Sequence, residues 1–197
     1  MALNLPEAAL RKLCDFVDLL LKWNRVHNLT SVDDPRKILT HHLLDSLSIA
    51  PYVQPTTCID VGSGAGFPGM VLAICYPAQH WTLVESRSKK AGFLRDAKAH
   101  LGVANLSVFD GRIEDYRATA NFDTLTARAV TTIKSLLKVS EHLLNPRLRL
   151  IAMKGVFPGE EIAALTSHQA GLARVIPVTV PGLDASRHIV VMEGISG

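Results

Sequence analysis

The sequence predicts a doubly wound α/β fold: a mostly parallel seven-stranded sheet with one antiparallel strand, preceded by an N-terminal helical extension. Three observations predict it. The short apolar run Thr57-Cys58-Ile59-Asp60-Val61 passes at once into glycines, as a buried parallel strand does when it turns into a helix. Strand-like and helix-like segments then alternate, the order that builds a parallel sheet. Residues 1–54, by contrast, show helical period and no strand pattern.

Within the extension, residues 6–24 place Leu10, Leu13, Cys14, Val17, Leu20 and Leu21 at three- and four-residue steps, with Pro6 suited to a first turn. Asp33-Asp34-Pro35 opens a second helix carrying Ile38, Leu39, His42, Leu43, Leu47 and Ile49 as far as Pro51. The core, residues 55–197, begins with the strand before the glycines, and Pro68 opens a helix that Pro77 stops. A strand at 80–85 leads to a helix at 88–101, with Ser88 as candidate N-cap and Gly102 as stop. Further strands are predicted at 106–109, 122–127 and 149–153, with helices at 133–144 and 160–169. Segments 174–180 and 188–193 have no long helix between them and predict an antiparallel hairpin.

Composition bounds the function classes. With 197 residues, 48% hydrophobic and 20% charged, the chain suits one globular domain with an added element. A formal charge of +3 permits a nucleic-acid partner without establishing one. Cys14, Cys58 and Cys75 are widely spaced with no CxxC pair, which argues against a disulfide framework or structural zinc; no metal is expected. The N-terminus has no secretory signature, and no stretch reaches the ~18 apolar residues of a membrane span. A cytoplasmic protein is expected.

The strongest motif is Asp60-Val61-Gly62-Ser63-Gly64-Ala65-Gly66-Phe67-Pro68-Gly69. Alternate glycines let a backbone turn sharply and approach a ligand without Cβ interference. Counted from Gly62 the dinucleotide pattern GxGxxG fails at Phe67; counted from Gly64 it is met by Gly64, Gly66 and Gly69. DxGxGxG suits S-adenosylmethionine, with Asp60 near the cationic end of the ligand and loop N–H groups on its carboxylate. Glu85, at the end of the second strand, is placed to accept from ribose hydroxyls, although dehydrogenases use a similar acid. Gly111-Arg112-Ile113-Glu114-Asp115 offers acids for an adenine amino group and the Ile113 backbone for the ring edge. Arg128, after the fourth strand, suits an RNA phosphate, a base or a salt bridge. Gly62, Gly64, Gly66, Glu85, Ile113 and Glu114 are therefore the candidate cofactor-binding residues on the motifs alone. On the residues alone, an NAD-dependent oxidoreductase and a non-catalytic RNA-binding module remain alternatives.

Several blocks extend this reading: Trp23-Asn-Arg-Val-His-Asn-Leu-Thr30, His42-Leu-Leu-Asp-Ser-Leu47, the glycine loop, Ser88-Lys-Lys90 with Phe93-Leu-Arg95, Arg112-Ile-Glu-Asp115, Ala127-Arg-Ala129, Met153-Lys-Gly155 and Leu183-Asp-Ala-Ser-Arg-His-Ile-Val-Val191. Together, almost end to end, they resemble the glucose-inhibited division protein B family, bacterial guanine-N7 methyltransferases of 16S ribosomal RNA. The resemblance implies a class I methyltransferase (Rossmann-like) core, S-adenosyl-L-methionine as cofactor, and 16S ribosomal RNA or the small ribosomal subunit as partner; a monomer is expected. It also implies cofactor contacts at Gly62, Phe67, Ile113, Glu114 and Arg128. Two departures stand out: 144–149 lacks the family's Pro-Gly-Gly turn, and Glu85 stands where Asp also occurs.

Guanine N7 carries a free lone pair and loses no proton on methylation, so no general base is expected. Positioning alone can supply about 7–11 kcal/mol of such a barrier. No catalytic residue is assigned; Arg128, Lys154 and Arg187 are the candidates for phosphate or base contacts. His27, His42 and His188 fall in the family blocks as RNA contacts or structural histidines, and Lys89, Lys90 and Arg95 read as a solvated helix face.

Overall fold

The computed structural model describes residues 4–129 and 131–195. Helix α1 (Glu7–His27) is followed by a helical segment made of α2 (Pro35–Ile38), a π-helix (Leu39–Leu44) and α3 (Asp45–Leu47). Strand β1 (Thr57–Val61), helix α4 (Gly69–Cys75), β2 (His80–Glu85), α5 (Ser88–Leu101), β3 (Leu106–Asp110), β4 (Thr124–Arg128), α6 (Ile133–Val139) and β5 (Arg149–Lys154) form the winding core. Helices α7 (Gly159–Ala163) and α8 (Ser167–Leu172), then β6 (Ala173–Pro177) and β7 (His188–Met192), complete it.

The seven strands lie in the order β3-β2-β1-β4-β5-β7-β6. β7 is antiparallel to both β5 and β6, and the other pairings are parallel. The strand order reverses between β1 and β4, and the carboxyl ends of the strands at such a switch point form a ligand crevice.

Period-two alternation divides the core into two layers. Cys58, Leu83, Ile151, Met153, Ile189 and Val191 face α1, α4 and α5. Ile59, Val84, Leu150, Ala152, Val190 and Met192 face the α6 side. The helical extension belongs to the first layer. Phe16 of α1 stacks on Phe93 of α5 at 6.0 Å and meets Phe67 edge-on at 5.6 Å. Trp23 packs on Phe93 at 5.7 Å and donates its indole N–H to Asp96 at 3.0 Å.

The predicted second helix is one continuous helical stretch, but its centre is a π-helix. The wider turn breaks the 3.6-residue period, leaving Leu39 47% exposed while Asp45 is buried. The helix expected at 160–169 is two helices, because Thr166 and Gln169 form a capping box that starts α8 afresh. The 133–144 helix ends at Val139 and continues as a 3-10 turn at Glu141–Leu143. Ser88 is the first residue of α5 and Arg87 its cap, without a side-chain hydrogen bond. Among the described residues no helix is long and apolar enough to cross a membrane.

Candidate active site

The glycine loop is built around Asp60. This carboxylate is fully buried. Its Oδ2 accepts the Gly69 N–H at 3.0 Å, and its Oδ1 accepts the Thr126 hydroxyl at 3.0 Å. Burial pushes its pKa up to about 6, against the pull of those hydrogen bonds. The expectation that Asp60 meets the ligand's cationic end is therefore corrected: the buried carboxylate ties β1 to the first turn of α4 through Oδ2 and to Thr126 of β4 through Oδ1. Gly69 makes this possible, since a Cβ there would strike Leu83 and come within 2.9 Å of the Asp60 Cβ.

The same bonds decide between the two cofactor patterns. A pyrophosphate needs free N–H groups at the helix start. Here Pro68 has none, the Gly69 N–H is taken by Asp60, and the Met70 N–H goes to the Gly66 carbonyl at 3.0 Å. The Gly64–Gly69 register offers no phosphate seat. Gly66 itself turns inward: a Cβ there would lie 2.9 Å from that of Met70 and 3.2 Å from Phe16 and Leu94. It is a packing glycine, away from the cavity.

That cavity, of about 800 Å³, opens at the carboxyl ends of β1, β2, β4 and β5. On one wall stand Gly62, Gly64 and Glu85. Glu85 is 6% exposed; its Oε2 accepts the Gly64 N–H and its Oε1 the Arg87 N–H, each at 2.8 Å. A smaller cavity of about 200 Å³, lined by Ile113 and Glu114, adjoins the first through the shared residues Gly62 and Ser86. Glycine backbone, a buried acid and a side chamber in that order fit an amino-acid, ribose and adenine ligand. Lys90, expected on a solvated face, also borders this cavity.

The opposite wall is made of side chains brought from distant segments. Asn24 accepts the Thr30 N–H through its side chain at 2.9 Å, while Asn28 ends α1 in the left-handed conformation. This places Thr30, whose hydroxyl lies 2.9 Å from His42 Nε2. His42 stacks on Phe67 at 4.5 Å between ring centres. Burial first, and then the nearby Arg128 charge, push its pKa down to about 4, so the ring is neutral at physiological pH. Arg128 lies over the Phe67 ring at 5.1 Å and donates from Nη1 to Asp45 Oδ2 at 3.1 Å. Arg187 donates from Nε to Asp45 Oδ1 at 2.9 Å. One buried carboxylate thus clamps two arginines, leaving one net positive charge on the wall.

Arg128, Arg187, Lys154 and Phe67 all border the large cavity. Lys154 is nevertheless engaged within the protein, since Nζ donates to Glu161 at 2.8 Å and to the Thr131 carbonyl at 3.0 Å. His27 packs on Trp23 at 5.1 Å, and His188 meets Phe157 at 5.7 Å. Sequence reasoning missed Thr30 and Asp45 as site residues. Both sit in motif blocks, yet nothing local in the sequence says that Asp45 is buried between arginines. Cys58 and Cys75 are buried, and burial pushes their thiols up to about 12 and about 11. Among the described residues no group of three His, Cys, Asp or Glu side chains could hold a metal.

Comparison with known proteins adds two kinds of likeness. The profile of the family described as "rRNA small subunit methyltransferase G" (GidB) matches residues 9–190. A protein of Methylobacillus flagellatus named ribosomal RNA small subunit methyltransferase G is 46% identical over 190 residues, covering 96% of this chain and 91% of its own. A protein of Xanthomonas campestris pv. campestris with the same name is 48% identical over 178 residues, covering 90% and 84%. Among solved structures, the B. subtilis M1A22 tRNA methyltransferase TrmK superposes with a TM-score of 0.62 at 15% identity, covering 76% of this chain and 65% of its own. The mitomycin 7-O-methyltransferase MmcR gives 0.62 at 13% identity, covering 96% and 69%. These two structures speak for the fold alone.

Proposed function

The chain belongs to the rRNA small subunit methyltransferase G family, and on that premise we propose that it methylates the N7 of one guanine in 16S ribosomal RNA, using S-adenosyl-L-methionine. The observation that carries this reading is the single cavity with two unlike walls. Gly62, Gly64 and Glu85 hold the cofactor on one side, with Ile113 and Glu114 around its adenine. Arg128 and Arg187 face the RNA on the other, with Phe67, expected as a cofactor contact, buried beneath Arg128 and His42. We read the enzyme as a cytoplasmic monomer in which the helices of residues 1–54 form the substrate side of a 55–197 core.

Bound there, S-adenosylmethionine supplies a methyl group on a sulfonium, which the lone pair of guanine N7 can take directly. The protein's share is then placement. No side chain has to remove a proton, and His42, its pKa lowered to about 4 by burial, is a poor base. Phe67 is 3% exposed, with His42 stacked on its ring and Arg128 over it, so it holds those two side chains in place. The positively charged Arg128–Asp45–Arg187 clamp attracts the phosphate backbone. Because methylation makes the base cationic, that charge is better placed on phosphate than on the guanine edge.

The test is direct. Labelled S-adenosylmethionine is incubated with the protein and either unmethylated 30S subunits or naked 16S RNA, and the label is mapped. Label at one guanine N7 is expected; none at any guanine N7 would overturn the reading. Gly62 has φ +69°, so Gly62→Val should abolish transfer while circular dichroism shows the fold retained.

A further inference from the structure

Just past the cavity-lining residues of β5 in the chain, two large apolar side chains face solvent: Val156, 76% exposed, and Phe157, 64% exposed. They directly follow Lys154 and Gly155, which line the cavity. The Phe157 ring is held in place. It meets His188 at 5.7 Å with an interplanar angle of 82°, and a Cβ on Gly159 would lie only 3.2 Å from its Cε1. Arg187, adjacent to His188, is held as well. Its Nε bonds Asp45 and its Nη1 the Ser186 carbonyl. Its Nη2 has no hydrogen-bond partner among the described residues. Gly155 lies close to this guanidinium, since a Cβ there would stand 3.9 Å from Nη1.

An exposed ring packed on His188, the residue next to the Arg187 cation with its spare N–H group, offers the two halves of a nucleotide a partner each. We propose that Phe157 and Arg187 form a second nucleotide subsite, in which an unpaired base next to the target guanine stacks on Phe157 while its phosphate meets Arg187. The inference rests on the reading of the cavity as the RNA methylation site. The N7 edge of guanine faces the major groove, which in A-form RNA is too deep and narrow for side chains to read. A guanine reaching the cavity must therefore leave its stack, at a cost in lost stacking. An aromatic platform returns part of that cost to the neighbouring base. Two side chains give too little area for a protein partner, whereas one base covers one ring.

The experiment measures methyl transfer from labelled S-adenosylmethionine to unmethylated 30S subunits, comparing the wild type with Phe157→Ala, Phe157→Leu and Phe157→Trp. Removing a stacking ring should raise the KM for RNA by roughly 5- to 150-fold. The KM for S-adenosylmethionine should not change. Phe157→Trp should restore the RNA KM, and Phe157→Leu, apolar but without a π face, should not. An RNA KM in Phe157→Ala equal to that of the wild type overturns the subsite, as does full rescue by Phe157→Leu. Either result leaves wild-type methylation intact, whereas a wild-type protein that labels no RNA overturns the functional reading itself. Melting temperatures of the three variants check that packing on His188 is not the cause; should Phe157→Ala melt lower, the Leu and Trp variants still decide.

Discussion

The two walls of the cavity are built on opposite plans. The wall assigned to the cofactor comes from neighbouring stretches of chain, Gly62–Gly69 and Glu85–Arg87, and its backbone shape is fixed by the N–H groups of Gly64, Gly69 and Arg87 donating to Glu85 and Asp60. The wall assigned to RNA comes from side chains. Asp45 reaches Arg128 83 residues on and Arg187 142 residues on. Behind the first wall, at Gly66 and Gly69, there is almost no room for added volume, and the second wall tolerates almost no lost charge. They should therefore fail separately.

The largest expected effect tests that separation. Truncating one partner of a buried, hydrogen-bonded charge pair costs about 2–5 kcal/mol, and Asp45 serves two partners. Asp45→Asn should lower kcat/KM for RNA by on the order of 100-fold or more, with the Kd of S-adenosylmethionine little changed in a calorimetric titration. If cofactor affinity falls in parallel, the walls are one unit and the contrast is wrong. Asp45→Ala should also lower global stability by about 3–5 kcal/mol in urea unfolding, because two arginines are left unpaired.

His42 in one wall and Asp60 behind the other have displaced pKa values that act in opposite directions. His42 is lowered from 6.5 to about 4. Its contribution is present above pH 6.5 and is lost as pH falls through about 4. Asp60 is raised from 3.8 to about 6. Its contribution is present below pH 3.8 and is lost as pH rises through about 6. In the wild type the two slopes offset one another between pH 4 and 6. His42→Gln removes one of them. The stability difference between wild type and variant should then grow by roughly 2–3 kcal/mol from pH 4 to 6.5. Asp60→Asn should change with pH in the opposite sense. Urea midpoints at the two pH values measure both, and a pH-independent difference for either variant refutes its assignment.

The same contrast explains what the sequence made legible. The order of strands, the closing hairpin and the glycine loop follow from period and punctuation, which are local. Glu85 and Arg128 could be placed beside the cavity because strand ends are predictable, although Arg128 is the last residue of β4 and not the residue after it. The role of Asp60 was misread, because the residue types in DxGxGxG do not say whether the carboxylate turns toward ligand or helix. That depends on Gly69 and Thr126, the latter on a strand 66 residues away. Asp45 was quoted in a motif yet given no role. Its burial depends on a π-turn and on two arginines that come together only in the folded chain. Phe157 stood in no motif, and no periodicity marks an exposed ring.

Volume is the weak point of the cofactor wall. Gly69→Ala adds one carbon where Leu83 and Asp60 leave no room. Overpacking of this kind costs about 1–3 kcal/mol, seen as a lower urea midpoint at unchanged m-value. Cofactor affinity should fall with it, since the loop and α4 share the Asp60 bond. RNA binding measured without cofactor should hold. Loss of RNA binding in Gly69→Ala would show that Phe67 and the clamp depend on the loop more than the contrast allows.

The smallest expected effects come from two cations on α5. Lys90 borders the cavity, with Nζ 3.9 Å from where a Gly64 Cβ would stand. Arg95 follows five positions later, about 140° around the helix at 100° per residue. There it pairs with Asp110 at 3.1 Å, with side chains 52% and 28% exposed. A cation about 4 Å from a ligand carboxylate in water contributes about 1 kcal/mol, so Lys90→Ala should weaken S-adenosylmethionine binding about fivefold, less at high salt. An exposed pair such as Arg95–Asp110 contributes roughly 0.2–1 kcal/mol. Arg95→Ala should therefore lower stability slightly and leave cofactor affinity alone. Equal Kd values for the two variants across a salt series would mean that α5 presents one solvated face, and that the cofactor wall ends at the backbone.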